Sequence, residues 1–290
     1  QKPLSETVII DYGGGSGFLS LLAKAFGVGT VIYNDIFEVS CEDAEALGQA
    51  TGFTADHFVA GDIDALTKFL KDNSIAPDAL VSCDVLEHIY DLESFIKSLH
   101  QLSDNDFNYV ISTHANPLNP IISRNLMRLQ VIAETVEKEA GYGHKSRDSL
   151  RSFLNARKEI IAESFKEVLS ASEIDQLASH TRGMHKADIV SSVEHYISTK
   201  QMPTPLSHPT NTCDPYTGNW ADRLTDPFVI QNLLLEPGFS ANVLSCYHGD
   251  PMNMPKRLLA NILDIMINIL GDQGLRLASY FMLHGKKRIK

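Results

Sequence analysis

Apolar and polar positions follow one repeating order along the first 118 residues: a short apolar run, a turn, then apolar residues at helical spacing. Val8, Ile9 and Ile10 run into Asp11, Tyr12 and the cluster Gly13-Gly14-Gly15-Ser16-Gly17. Phe18, Leu22, Ala25 and Phe26 then recur as one helix face, with Gly27 as the stop. A second strand over 30–35 ends at Asp35, and a short helix over 41–47 is stopped by Gly48. A third strand runs over 57–64 through Asp62 and Ile63. A fourth runs over 78–83 into Asp84, where the spacing Asp84 to Glu87 reads as a capping box opening a helix over 85–99. The fifth strand, 107–114, ends at His114, and Pro117 and Pro120 break it. Successive βα units predict a parallel, doubly wound sheet with right-handed crossovers. Ligands of such sheets lie beyond the carboxyl ends of the strands, where these acids gather.

The pattern then changes for about a hundred residues. Ile122, Leu126, Leu129 and Ile132 mark one amphipathic helix; Leu150, Leu154, Ile161, Phe165 and Val168 a second; Ile189, Val190, Val193, Tyr196 and Ile197 a third. Residues 201–220 are too proline-rich for helix or central strand, yet hold the only tryptophan, Trp220. Loops of this length are lids, binding loops or disordered segments. The sheet resumes over 238–247. A helix marked by Leu259, Ile262, Leu263, Met266, Ile269 and Leu270 is stopped by Gly271, and a last strand spans 277–284 before the basic tail Lys286 to Lys290, read as a solvated end. The expectation is an α/β fold: a doubly wound, mostly parallel seven-stranded sheet with a helical insertion after the fifth strand. Residues 1–118 and 228–290 would form the sheet domain, and 119–227 a lid that binds substrate.

Composition narrows the class. The 290 residues, 43% hydrophobic, suffice for one large domain with an insertion. A net charge of -11 argues against a general nucleic-acid or anionic-membrane binder. No apolar run reaches the roughly 18 residues of a membrane span, and no signal peptide is visible. Cys41, Cys83, Cys213 and Cys246 form no C-x-x-C pair, so free thiols and a cytoplasmic location are expected. The chain opens on Gln1 and enters its first strand within about eight residues, which suggests a piece of a longer polypeptide.

The glycine spacing selects among ligands. A dinucleotide turn begun at Gly13 would close with glycine at the position of Phe18, and no lysine follows for a phosphate loop. Asp11-x-Gly13-x-Gly15-x-Gly17 instead resembles the first motif of class I S-adenosylmethionine-dependent methyltransferases. The stretch Asp84-Val85-Leu86-Glu87-His88 resembles the fourth-strand motif of the small-molecule methyltransferases of ubiquinone biosynthesis. The resemblance covers about 1–118 and 228–290 and implies a Rossmann-like methyltransferase fold with S-adenosyl-L-methionine as cofactor.

It also implies roles. Asp11, Gly13, Gly15 and Gly17 form the cofactor turn. Asp35, with Ile36 beside it, receives the ribose hydroxyls, the other reading of Asp35 being an N-cap. Asp62 faces the adenine amino group with Ile63 against the ring, unless Asp62 is only a turn residue. Cys83 and Asp84 line the methionyl end, Glu87 is mainly structural, and His88 either contacts the cofactor or packs. A hydroxyl acceptor needs a base, most often histidine. His114, at the rim, ranks first and His185, in the insertion, second, each weighed against a packing role. His180 and His185 lack partners at metal-site spacing, so no metal is expected. The expected activity is methyl transfer to oxygen of a small-molecule or glycan-like acceptor. A nicotinamide-dependent oxidoreductase and a non-catalytic cofactor-binding domain are the alternatives.

Overall fold

The computed structural model describes residues 2–103, 105–138, 150–235, 239–246 and 253–287. The chain divides into two compact units, one of residues 1–86, 91–119 and 225–290 and the other of 87–90 and 120–224. The first unit holds β1 (Val8–Tyr12), α1 (Phe18–Ala25), β2 (Thr30–Asp35), α2 (Glu38–Thr51), β3 (His57–Ala60), α3 (Ile63–Asp72), β4 (Ala79–Cys83), α4 (Leu92–His100) and β5 (Phe107–Thr113). The second holds α5 (Pro120–Thr135), α6 (Phe153–Phe165), α7 (Ala171–His180) and α8 (Lys186–Thr199). The first unit then resumes with α9 (Pro227–Leu234), β6 (Phe239–Ser245), α10 (Met254–Leu270) and β7 (Phe281–Lys287).

The seven strands form one sheet in the order β3-β2-β1-β4-β5-β7-β6. The strands β1 to β5 run parallel, and β7 is antiparallel to both β5 and β6. Ile10, Val31, Ile32, Tyr33, Leu80, Tyr109 and Ile111 are buried, as strands covered by helices on their faces require. The strand order reverses between β1 and β4, so the turn after β1 opens at the switch point where such sheets bind ligands.

Several local expectations are corrected. On α1, Phe18, Ala25 and Phe26 are exposed and Ser20 is buried, because a carboxylate of β1 holds Ser20 inward. The α2 helix runs through Gly48, which packs closely on Thr54, and ends at the left-handed Gly52. The capping box at Asp84 does not form. Asp84 has φ +54°, whereas an N-cap sits in the extended region; a 3-10 turn follows at Leu86–His88, and Asp91 caps α4 by accepting from Ser94 N–H at 3.0 Å. The last strand, β7, begins four residues later and ends three residues later than expected. Lys286 and Lys287 belong to it, and Lys287 Nζ donates to the carbonyls of His100 and Ser103 rather than ending in solvent. Gly238, Tyr247 and residues 288–290 lie outside the described residues.

In the second unit, Ile160, Ile161, Leu177, Ala178, Ile189 and Val193 of α6, α7 and α8 make a shared core. The helix α7 was missed, although its Ser170–Glu173 capping box stands in the sequence. The inward side of α5 is Leu126, Gln130 and Glu134, while Leu129 and Ile132 are exposed. Buried charge needs a partner. Glu134 has one in the fully buried Arg157, whose Nη1 donates to it at 3.2 Å and whose Nε donates to the Ala178 carbonyl at 2.7 Å. Gln130 grips the proline-rich segment, accepting from Thr212 N–H at 2.8 Å and donating to the Ala221 carbonyl.

One described helical stretch, Met254–Arg276, is long and apolar enough to cross a membrane by length and composition, where no such run was expected. It lies along the chain between β6 and β7, neighbours in one sheet with Ser245 paired to Phe281.

Gly285 of β7 has no room for a side chain, since a Cβ there would strike the buried Tyr109 ring and the Ser240 carbonyl. Gly285→Ala should lower unfolding free energy by about 1–3 kcal/mol, the usual cost of overpacking, read from urea melts. An unchanged midpoint would mean that β5, β6 and β7 are not packed as described.

Candidate functional site

The turn after β1 is held by its neighbours. Gly13, Gly15 and Gly17 have φ of +67°, +54° and +78°. A Cβ at Gly17 would press on Ala44 of α2 at 2.7 Å, whereas at Gly15 it would meet nothing within 4 Å. Gly17 is thus glycine for packing, and Gly15 for its backbone and for the open space above it. Gly14 N–H donates to the Asn34 carbonyl at 3.0 Å, Gly15 N–H to Asp35 Oδ2 at 3.1 Å, and Tyr33 Oη to the Gly15 carbonyl at 2.7 Å. From the other side, the buried Asp11 Oδ2 accepts from Ser20 N–H at 2.9 Å and from Ser20 Oγ at 2.7 Å, fixing the first turn of α1. Burial pushes the Asp11 carboxyl above its ordinary range; the Ser20 hydrogen bonds oppose the rise and the charge of Asp35 adds to it.

Asp35 ends β2 and accepts from Phe37 N–H at 3.0 Å with its second oxygen. The N-cap of α2 is Phe37, so that reading of Asp35 falls. Ile36 beside it is half exposed. Asp62 follows the end of β3 and is the N-cap of α3, its Oδ1 accepting from the N–H groups of Asp64 and Ala65 at 3.1 and 3.0 Å, while Ile63 is buried. The turn reading of Asp62 is therefore a capping role, and it leaves Oδ2 out of the cap.

Beyond β4 and β5 a second group forms. Asp84 N–H donates to the Ser112 carbonyl at 2.9 Å, and Asp84 Oδ1 accepts from both the backbone N–H and the ring Nδ1 of His114, each at 2.9 Å. Tyr280, just before β7, donates from Oη to Asp84 Oδ2 at 3.3 Å, and Cys83 Sγ approaches the same oxygen at 3.7 Å. A carboxylate only accepts, so His114 Nδ1 carries the hydrogen and Nε2 is the basic nitrogen. The positive φ of Asp84 is a strained position held by these bonds.

The other predicted residues, His88 and His185, belong to the second unit. His88 Nδ1 donates to the Trp220 carbonyl at 2.8 Å, and its Nε2 stands 3.7 Å from Asp222. Ligand atoms of Glu87, His88 and Asp222 lie within 4.8 Å of one another, a gathering common without an ion. His185 Nδ1 donates to Asp188 Oδ2 at 2.9 Å, which also accepts from Tyr90 Oη at 2.6 Å. Four flat groups stack in sequence: His185 on Tyr90 with centroids 4.9 Å apart, Tyr90 on Trp220 at 5.4 Å, and the Arg223 guanidinium 4.1 Å over Trp220. Burial raises the Tyr90 hydroxyl and lowers Arg223 from their ordinary values, and pushes the Cys213 thiol up to about 12. None of the four cysteines is in a disulfide with another.

Sequence reading missed Ser20, Tyr33, Tyr280 and the Tyr90–Trp220–Arg223 column. Tyr280 was placed inside the last strand, and only the true register puts its hydroxyl at the rim.

The model of a methyltransferase domain family matches residues 3–192. The chain belongs to that methyltransferase family. Among solved structures it is similar to an S-adenosylmethionine-dependent methyltransferase from Mesorhizobium loti, at 16% identity over 99% of this chain and 94% of that one, with TM-score 0.44. It is similar to the plantazolicin methyltransferase BamL in complex with a triazolic desmethylPZN analog and SAH, at 11% identity over 100% and 79% of the chains, with TM-score 0.45. With the YcgJ protein of Bacillus subtilis the likeness spans 43% of this chain and 53% of that one, at 20% identity and TM-score 0.35. A search of curated proteins found no match.

The residues of the turn fit the expected cofactor, S-adenosylmethionine. Asp11 Oδ1 is a buried acceptor with no hydrogen-bond partner among the described residues, suited to an ammonium donor. The space over Gly15 is open, and each Asp35 oxygen, with one backbone bond made, keeps a lone pair for a ribose hydroxyl.

Gly15→Ala should cost about 1–2 kcal/mol of stability from its left-handed backbone, yet weaken S-adenosylhomocysteine binding at least about tenfold in calorimetry. Unchanged affinity would place the cofactor elsewhere.

Asp11 gives a pH prediction. Its folded pKa lies above the ordinary 3.8, so its contribution to stability is full below 3.8 and is lost as pH rises through the folded value. Relative to Asp11→Asn, the wild type should therefore gain stability as pH falls through that window, measured by urea melts at several pH values. A difference independent of pH would show that Asp11 is not buried as a carboxylate.

Proposed function

We propose that the chain transfers a methyl group to a hydroxyl of a small-molecule or glycan-like acceptor, with His114 as general base. The observation that carries this reading is the Asp84–His114 pair at the ends of β4 and β5: the carboxylate fixes the ring by two bonds at 2.9 Å and directs the basic Nε2 away from itself. S-adenosylmethionine, when bound, supplies a methyl on a sulfonium that needs no further activation. The protein's share is to position the acceptor in line and to remove its proton. His114 Nε2 takes the hydroxyl proton as the new C–O bond forms and the C–S bond breaks. Asp84 holds the charged imidazolium that results, and Tyr280 steadies Asp84 through its second oxygen. The glycine turn, Asp35 and Asp62 hold the donor. A nicotinamide cofactor is disfavoured by the family match and by Phe18 at the place of the third glycine.

The test is methyl-labelled donor with a panel of phenols, sugars and other hydroxylated metabolites, following S-adenosylhomocysteine release. Wild type should bind S-adenosylhomocysteine and methylate at least one member. His114→Gln should bind it within about threefold of wild type and lose about 10²–10⁴ in kcat. His185→Gln serves as the contrast. Loss of turnover there, with His114→Gln unaffected, would move the base to the His185–Asp188 pair, and absence of cofactor binding by wild type would sink the reading.

A further inference from the structure

The arginines of the second unit do not share one environment. Arg157 and Arg182 lie beside Glu134, and Arg151 reaches Glu137 and Glu159. Arg124 and Arg128 are exposed on α5. Arg223 differs from both groups. It is partly buried, and among the described residues its guanidinium has no carboxylate at ion-pair distance and no hydrogen-bond acceptor. The chain has 36 acidic residues against 25 lysines and arginines, so partners are not scarce. Asp222, next in sequence, has its Oδ1 3.7 Å from His88 Nε2.

A cation drawn out of water costs free energy unless an anion answers it. Burial lowers the Arg223 pKa, and the groups whose negative charge would oppose the fall are Cys213 and Tyr90. Burial keeps both neutral, pushing the thiol up to about 12 and the phenol above its ordinary value. His208, lowered by burial and then by the charge of Arg223, offers no anion either. What meets the guanidinium is the face of Trp220, 4.1 Å away. A ring face attracts the cation but leaves the N–H fork in the guanidinium plane unbonded. Trp220 is itself fixed, its backbone N–H donating to the His88 carbonyl at 3.1 Å and its Nε1 to the Tyr90 carbonyl at 3.3 Å. The fork therefore rests on a rigid support, which favours bidentate capture of two oxygens. We propose that Arg223, stacked on Trp220, binds an oxyanion of the carboxylate or phosphate class that the methyl acceptor carries. The link to the acceptor rests on the methyl transfer proposed above; the anion site stands without it.

Trp220 is the only tryptophan, so its fluorescence reads the site directly. The whole chain is titrated with acetate, benzoate, inorganic phosphate and phenyl phosphate at constant ionic strength in chloride. Wild type should give a saturable change with the carboxylates or with the phosphates, and the class that saturates identifies the anion. Arg223→Gln should weaken that binding at least about tenfold, and Arg223→Lys, charged but without the fork, at least about threefold. Circular dichroism checks that both variants fold, and Arg223→Lys carries the comparison if Arg223→Gln does not. Unsaturable quenching by every salt, or saturation unchanged in the variants, overturns the anion site. In turnover with methyl-labelled donor, acceptors bearing the selected anion should have a KM at least about tenfold below that of their neutral esters. Arg223→Gln should abolish that advantage with little change in kcat. Anion binding without any such preference overturns the link to the acceptor. If the chain methylates nothing, the proposed activity fails, and the titration alone decides the anion site.

Discussion

The Asp35 carboxylate, shared between the N–H groups of Gly15 and Phe37, is the interaction on which the cofactor half depends. A glycine turn with three left-handed residues satisfies only part of its own backbone, through Gly17 N–H on the Gly14 carbonyl and Leu21 N–H on the Gly17 carbonyl, so other polar groups must be met from outside. Here β2 meets them: Asn34 by its carbonyl, Tyr33 by its hydroxyl and Asp35 by its side chain. The turn is thus shaped before any ligand arrives, which lowers the ordering cost of binding. Each oxygen of the same carboxylate keeps a lone pair beyond its one backbone bond, which is what the proposed ribose contact requires.

Asp84 repeats the device at the other end of the rim with a different result. Its side chain satisfies the N–H of His114 and orients the ring, while its own N–H is taken by Ser112. Strain at φ +54° persists because four neighbours over-determine it: Ser112, His114, Tyr280 and Cys83. The donor-side acid is tied to a rigid turn, and the acid proposed to serve the acceptor is tied to a titratable ring. That difference agrees with the roles proposed for them, since a donor needs only to be held and a hydroxyl acceptor must also lose a proton.

The strand–turn–helix order was legible because the first four parallel strands are largely apolar runs that reach an acid, and the strands ending at Asp35 and before His114 were read close to their observed limits. What failed were inferences from one residue's type. Asp84 three residues before Glu87 has the spacing of a cap, but its carboxylate is claimed by His114, thirty residues away, and local pattern carries no record of that. Tyr280 was invisible for the same reason, since its role depends on the register of β7. His88 was weighed as a cofactor contact or a packing residue from its own stretch, and the structure shows it engaged by the Trp220 carbonyl and by Asp222, more than a hundred residues on.

The insertion shows the limit of periodicity most plainly. On α5 the apolar spacing named Leu129 and Ile132 as inward, and the chain instead buries Gln130 and Glu134 beside the fully buried Arg157. A carboxylate and a guanidinium taken out of water each cost several kcal/mol, and removal of either alone would leave the other uncompensated. That cost is offset in part by further partners: Arg157 Nε donates to the Ala178 carbonyl, and Thr212 Oγ1 donates to Glu134 at 3.5 Å while accepting from Arg182 Nε at 2.6 Å. Hydrophobic patterning finds the faces that water rejects. It does not find faces held by paired charge, and in this unit one such pair fixes the inward side of α5.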